Sequence, residues 1–497
     1  MNGVFCNIDC DCFFTTPLDG RPGDSGEAVD RYVDRLADAG VGTLLVNTNA
    51  RRTNYRSAVW DAFWDGYEPA GADTQPFLAA VPDEQAARYR RTIGNMWTLH
   101  QAGVDYPGRM LAAARRRGLQ AWISLRMNDV HYGNAPEHPF HGRFWREHPG
   151  LFLGKGRGYF ATALDYAHSE VRAFYLSLVA ESLDRYDLDG LELDFMREPF
   201  LFARGSEVEG GRLLTDWLCE VRRLVRSAAA RLGHAVRLGV RVPSNPDTAA
   251  RLGLDAGAWA RAGLVDLVVP APRWATLEFD MPLPLWRERL AGTGAALAGG
   301  LEIRLQPIPD GPASLVTPAQ ASGAATAVLA GGADAVYLFN FFPSQHPGWP
   351  AAEYARTLRA MASLSALSRL PRRHAITYRD IVAPGEAYCP PLPAAGASLR
   401  FRLPTGPRPP ADWRATLEIG LDPVPGQGRP AVTVNGVACP PSPEEAAAPG
   451  GAPGPLRHVV PVSALSNDGL QQIALEAVGG APVRVVSVEL SLAPEAI

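Results

Sequence analysis

One unit recurs along most of this chain: a helix-length amphipathic stretch, a turn containing glycine, then a short apolar run. Ala39-Gly40 leads into the run 41–49, Arg117-Gly118 into 119–129, Leu232-Gly233 towards 236–243, Ala262-Gly263 into 264–270 and Gly331-Gly332 into 333–340. Further runs at 4–9, 187–199 and 295–302 bring the set to eight. Strand-length runs alternating with helical patterns describe parallel strands joined by crossover helices. Eight of them make the expected fold an α/β (β/α)8 TIM barrel. The runs close on polar residues: Asn7 and Asp9, Asn47 and Asn49, Asn128 and Asp129, Glu192 and Asp194, Arg241, Arg273, Glu302, Asn340. Packing gives no reason for this. A site does, because such barrels carry their chemistry at the C-terminal ends of the strands.

The fourth run reads Asp189-Gly190-Leu191-Glu192-Leu193-Asp194-Phe195-Met196-Arg197. Strand alternation sends Leu191, Leu193 and Phe195 to one face and Glu192, Asp194 and Met196 to the other. Two carboxylates on the inner face of a buried strand are costly unless that face opens into a polar site. The alternative is an edge strand with solvated acids, and the apolar flanks argue against it.

At 497 residues the chain exceeds one ordinary domain. Its texture changes near residue 370. The last helical pattern, 352–367, closes on Ser368-Arg369-Leu370-Pro371. Beyond it, Pro- and Gly-rich turns separate alternating runs at 398–403, 413–421, 431–434, 458–462, 472–478 and 483–491, and Val434-Asn435-Gly436-Val437 is a hairpin signal. The expectation is a catalytic barrel over 1–368 and an all-β sandwich over 375–497, an accessory module that binds sugar or covers a flank of the barrel. The stretch 440–455 reads as a loop.

Composition excludes several classes. A net charge of −4 predicts neither nucleic acid nor anionic membrane as a partner. No run of 18 apolar residues is present to span a bilayer. The single lysine, Lys155, leaves no P-loop and limits Schiff-base chemistry to one residue. Cys6, Cys10, Cys12, Cys219, Cys389 and Cys439 include no C-x-x-C pair, so free thiols in a reducing compartment are favoured over a thiolate metal site. With no basic-then-apolar leader before the first strand, the expected location is cytoplasmic. No metal or cofactor is implied, and oligomeric state is left open.

The fourth strand resembles the DG-x-x-LD-x-x-R strand of the glycosyl-hydrolase-like TIM barrels, the family-10-like glycosidases. The likeness spans roughly 1–365 and includes Asn128-Asp129, Leu164-Asp165-Tyr166, Val171-Arg172 and Gly331-Gly332-Ala333-Asp334. The strand also resembles the chitinase pattern D-G-x-D-x-D-x-E, but Met196 stands where that family has its catalytic Glu. The resemblance implies a carbohydrate substrate and a carboxyl pair on strands four and seven. That pairing favours a retaining outcome.

Glycosidic cleavage needs a carboxylic acid for the leaving oxygen and a carboxylate as nucleophile or as base for water. The candidates are Asp194 and Glu302. Glu192, about 7 Å from Asp194 by strand rise, would raise its pKa or hold Arg126 or Arg241. For Glu302 the structural alternative is a surface acid paired with Arg304. Asn7, Asp9, Asn47, Arg126, Asn128, Asp129, His131, Arg197, Arg241, Trp274 and Asn340 are expected around the substrate as hydrogen-bond partners or stacking surface. Trp60 and Trp64 are further candidate platforms, whereas Trp122 reads as core. His131, His138 and His141 lack metal-ligand spacing and read as hydrogen-bonding or loop residues. Two rivals remain. One is a non-catalytic sugar-binding or sensing barrel. The other is a metal-dependent barrel hydrolase, which usually has H-x-H where this chain has Asn7-Ile8-Asp9.

Overall fold

The structure is a computed structural model that describes residues 3–15, 25–72, 75–341, 349–422, 429–443, 455–477 and 482–495. Eight strands, β1 Val4–Ile8, β2 Val41–Asn47, β3 Gln120–Arg126, β4 Gly190–Asp194, β5 Arg237–Pro243, β6 Leu267–Ala271, β7 Ala296–Leu301 and β8 Ala335–Phe339, close into a barrel in chain order. Helices intervene, among them Ser25–Asp38, Tyr106–Arg116, Ser169–Arg185 and Glu207–Leu232. Recurring glycines end three of those helices, and Ser169–Arg185 ends at Tyr186 instead. Gly40 and Gly233 take φ of +88° and +76°, a left-handed conformation that side chains with a Cβ avoid.

The barrel interior is layered, and the layers follow from register. Phe5 meets Trp122 edge-on at 6.4 Å near the base. Gly190 is required there, since a Cβ on it would fall 2.3 Å from the Trp122 ring. Asp189, its motif partner, accepts the Ala121 amide at 2.8 Å. The D-G of the fourth strand is therefore a packing and pairing device. Above it, register aligns Ser124 with Glu192, and then Arg126 with Asp194 and Asp194 with Arg241. The expected alternation holds: Leu191, Leu193 and Phe195 are buried, and both acids are buried too.

Beyond the barrel, β9 Arg372–Ala375, β10 Ala394–Gly396, β11 Ser398–Pro404, β12 Trp413–Asp422, β13 Ala431–Val434, β14 Val437–Ala438, β15 Leu456–Val460, β16 Leu470–Glu476 and β17 Val483–Pro494 form two antiparallel sheets. Their orders are β9-β17-β12-β15, with β10 also on β17, and β11-β16-β13-β14. Leu417, Ile419, Val488 and Leu490 from the first sheet and Phe401, Leu403, Ile473 and Leu475 from the second share one apolar core. The hairpin signal is realised: Val434 pairs with Val437 across Asn435 and Gly436, both at positive φ.

Some boundaries differ from the sequence reading. The pattern 352–367 is two helices, Ala351–Ala360 and Leu364–Leu367. β9 and β10, reading RRHA and AAG, carry no alternation of apolar residues and were not expected. Residue 478 and most of the loop expected at 440–455 (444–454) lie outside the described residues.

Contacts divide the chain into two compact units, Met1–Pro270 with Glu288–Leu297 and Tyr337–Pro347, and Ala271–Arg287 with Ala298–Val336 and Gly348–Ile497. Within the second unit, helix Pro318–Ala330 lies so close to β9 that a Cβ on Gly323 would meet the Arg373 carbonyl oxygen at 2.1 Å. That packing joins this helix to the sheets.

Candidate active site

Two acidic groups occupy the first unit, one above the other. The lower one is sealed. Glu192 Oε1 accepts from Ser124 Oγ at 2.7 Å, Tyr337 Oη at 2.8 Å and Asn7 Nδ2 at 3.1 Å. Its other oxygen is buried with no partner among the described residues. Burial, and after it the charge of Asp194, pushes the Glu192 carboxyl up to about 7. Asp194 is held on both oxygens by Arg241, Nε to Oδ1 at 2.9 Å and Nη2 to Oδ2 at 3.0 Å, and it also accepts the Met196 amide at 2.9 Å. Both partners are 1% exposed. Phe339 lies under the Arg241 guanidinium at 4.1 Å. Glu192 therefore holds no arginine, which removes one of the two roles expected for it. Arg241 pairs with Asp194, and Arg126 is taken by other acids.

The upper group is open. It lines a cavity of about 350 Å³ bounded by Asp9, Asp11, Arg88, Arg126, His131 and Arg197, with Tyr89, Tyr132 and Phe140 among its aromatic walls. Arg126, at the end of β3, donates to Asp9 and, at 3.0 Å, to Asp129. Burial alone would raise the Asp9 carboxyl, but Arg126, Arg197 and the Cys10 amide together bring it below its ordinary value. Asp11 moves the other way. Its burial and then the charge of Asp9 raise it, and Arg126 and Arg88 offset only part of this. Oxygens of the two carboxyls lie within 4.8 Å of each other. Asp129 is held well below the carboxylate range, against its burial, by His131 and Arg126. Its Oδ1 accepts both the His131 amide and His131 Nδ1 at 2.8 Å, so Asp129 orients that ring.

Asp9, Cys10 and Asp11 are the only residues among those described with the reach to share a metal ion. Asp9 already accepts from Arg126, and burial pushes the Cys10 thiol well up. Neither favours a cation there.

Other expected site residues are committed to structure. Asn47 donates to the Ser124 carbonyl at 3.0 Å. Asn128 pins Leu164 through both its amide and its carbonyl. Trp60 stacks on Phe174 at 4.0 Å and Trp64 on His100 at 5.0 Å, both nearly buried, so neither is an open platform. His138 and His141 are buried, and desolvation lowers them to about 4 and about 3. Trp122 is core. Asn340 sits at positive φ just past β8. In the second unit, Glu302 is 1% exposed and accepts the Ile303 amide at 2.8 Å. Trp274 is 42% exposed, with Arg304 over its ring at 4.9 Å.

The sequence reading missed Asp11, Arg88, Tyr132 and Tyr337. Asp11 was within reach: Asn7, Asp9 and Asp11 share one parity along the exit of the first strand. Arg88 lies in helix Asp83–Gln101, outside any strand end, and carried no signal.

No family model matches this chain, and no curated protein does. Solved structures similar to it include the PgaB (BpsB) glycoside hydrolase domain from Bordetella bronchiseptica, at 11% identity and TM-score 0.40, covering 73% of this chain and 99% of that one. A GH36 α-galactosidase from Geobacillus stearothermophilus is 12% identical at TM-score 0.37, and this chain, matched over its whole length, spans only 56% of it. An α-L-fucosidase from Paenibacillus thiaminolyticus is 12% identical at TM-score 0.35, with 96% of each chain covered. At these scores the likenesses say nothing about chemistry, which has to come from the residues.

Proposed function

We propose that this chain is a glycoside hydrolase and that the reaction runs in the cavity beside Asp9 and Asp11. The observation that carries this reading is the carboxyl pair: oxygens within 4.8 Å, one group drawn below its ordinary pKa and the other raised above it. Environments that push two neighbouring acids apart assign a carboxylate and a proton donor. Asp11 then protonates the leaving oxygen, and Asp9, kept ionised by Arg126, acts as nucleophile. His131, oriented by Asp129, hydrogen-bonds the sugar. Retention needs carboxyls about 5–5.5 Å apart and inversion about 6.5–9.5 Å, so the anomer first released is a further readout of the pair.

The pair Asp194 and Glu302 is the competing assignment. The closed Arg241 fork around Asp194 favours a positioning role for that residue instead. We also propose that residues 1–368 are the catalytic barrel and 375–497 an accessory sandwich. The chain works in the cytoplasm on short glycosides, a reading supported by six free cysteines. No described helix is long and apolar enough to cross a membrane.

The test is a panel of aryl-glycosides and oligosaccharides with purified protein. Asp9→Asn and Asp11→Asn should each lose about 10²-fold or more in kcat, the range for removing acid–base assistance. Asp11→Asn should also flatten the alkaline limb of the pH profile. If Glu302→Gln is crippled while Asp11→Asn is not, the competing pair is right. Ligand binding without turnover across the panel would make the protein a sugar-binding barrel, and activity abolished by chelator would revive the metal-dependent hydrolase.

A further inference from the structure

Three guanidinium groups face the cavity, and only one is neutralised. Arg126 spends its terminal nitrogens on Asp9 and Asp129. Arg197, at the end of the DG-x-x-LD-x-x-R motif, is half-buried, and its Nε is buried with no hydrogen-bond partner among the described residues. The Phe339 ring sits beneath its guanidinium at 5.5 Å. That contact orients the fork without satisfying it. Arg88, on helix Asp83–Gln101, reaches the cavity from the other side. It is exposed and makes no hydrogen bond through its guanidinium to the described residues.

A buried N–H with no acceptor costs on the order of 1–3 kcal/mol, and a ligand that supplies one recovers that cost. An acceptor for two guanidinium forks has to be anionic and multidentate, because carboxylate and sulfate oxygens match the fork two at a time. The cavity's own acids do not meet this demand. Asp9 and Asp129 are both paired with Arg126, and no described acid hydrogen-bonds Arg197 or Arg88. Gln85, Tyr89 and Tyr132 add neutral polar groups suited to hydroxyls, and Phe63 and Phe140 add apolar surface for a ring face.

We propose that the cavity binds an acidic sugar, whose carboxylate or sulfate group is held by Arg197 and Arg88. The proposal deepens the glycoside hydrolase reading by naming its substrate class, and it rests on that reading for turnover but not for binding.

Calorimetric titration of the full chain with glucuronate, glucose 6-sulfate and glucose tests it. Either acid should bind at least about tenfold more tightly than glucose, a difference of about 1.4 kcal/mol. The acid that wins identifies the group. Arg197→Gln should remove most of that preference, and Arg197→Lys, which keeps the charge but not the fork, should restore it only in part. Arg88→Gln, at an exposed helix position that tolerates substitution, should reduce it and guards against a folding failure at Arg197. Equal affinity for glucose and both acids, or an acid preference untouched in both glutamine variants, would overturn the proposal. Acid binding without hydrolysis of any acidic glycoside would sink the hydrolase reading and leave this one standing. Turnover of neutral glycosides with no acid preference would do the reverse.

Discussion

The mouth of the barrel and the layer beneath it use the same ingredients to opposite ends. In each, one carboxyl is raised above its ordinary pKa while a neighbouring carboxyl is engaged by an arginine. Below, the groups are buried and mostly paired. Arg241 takes both oxygens of Asp194, and Glu192 fits into a cage of Asn7, Ser124 and Tyr337. Above, the same chemistry borders a cavity, with a half-exposed His131 and two arginines left over. The difference teaches that an acid pair in a strand motif can be enclosed by its neighbours while the polar groups beside it stay open to a cavity. The motif acids lie in the closed layer, and the cavity is lined from the ends of β1, β3 and β4 and from helix Asp83–Gln101.

The largest expected effect comes from breaking the closed layer. Asp194→Asn leaves Arg241 buried without a counter-charge, and removing one partner of a buried pair costs about 3–5 kcal/mol. Urea unfolding at neutral pH measures it. If Asp194→Asn instead keeps its stability and loses kcat by about 10²-fold, the comparison breaks: the lower layer is the reacting one, and Asp194 returns as the nucleophile.

Much of this was legible in the sequence. The strand count, strand order and inward-facing acids all followed from period-two alternation and from the glycines that end most of the helices. The assignment of roles was not. Whether Asp194 or Asp9 faces a ligand depends on which arginine reaches it. Arg126 and Arg241 occupy equivalent strand-end positions, and the sequence does not say which acid each will choose. Asn47 and Asn128 looked like sugar ligands because polar residues at strand ends usually face the site, yet each is spent on a neighbouring backbone. Trp60 and Trp64 failed for a related reason. A loop tryptophan is a platform only if nothing stacks on it first, and Phe174 and His100 come from helices distant in sequence.

A smaller effect separates the two raised acids. With its carboxyl at about 7 in the folded state against an ordinary 4.5, Glu192 holds its proton in the fold over a window where the unfolded chain has released it. The folded state binds more protons there, so stability falls as pH rises from about 4.5 to about 7 and is level on either side. The fall is on the order of 3 kcal/mol, at about 1.4 kcal/mol per pKa unit. Glu192→Gln, which keeps the shape without the titration, should erase that slope. Unfolding free energies at pH 4.5, 6 and 7.5 for both proteins decide it. A slope unchanged in the variant would mean that Glu192 does not hold its proton over this window.

The smallest effect belongs to the open group and tests it from the opposite side. His131 is 41% exposed on its side chain, and its pairing with Asp129 crosses from a buried carboxylate to solvent. Exposed ion pairs contribute about 0–1 kcal/mol, so His131→Gln should change stability by less than about 1 kcal/mol. Its influence should appear in titration instead. His131 is among the groups that draw Asp9, Asp11 and Asp129 down, with Arg126 the stronger influence on Asp9 and Asp11. Removing it lets Asp9 and Asp11 rise together, so both limbs of the kcat/KM profile should move to higher pH by a fraction of a unit, with no widening between them. A profile that stays in place while stability drops by several kcal/mol would show that the mouth is as closed as the layer beneath it, and the cavity would lose its claim to the chemistry.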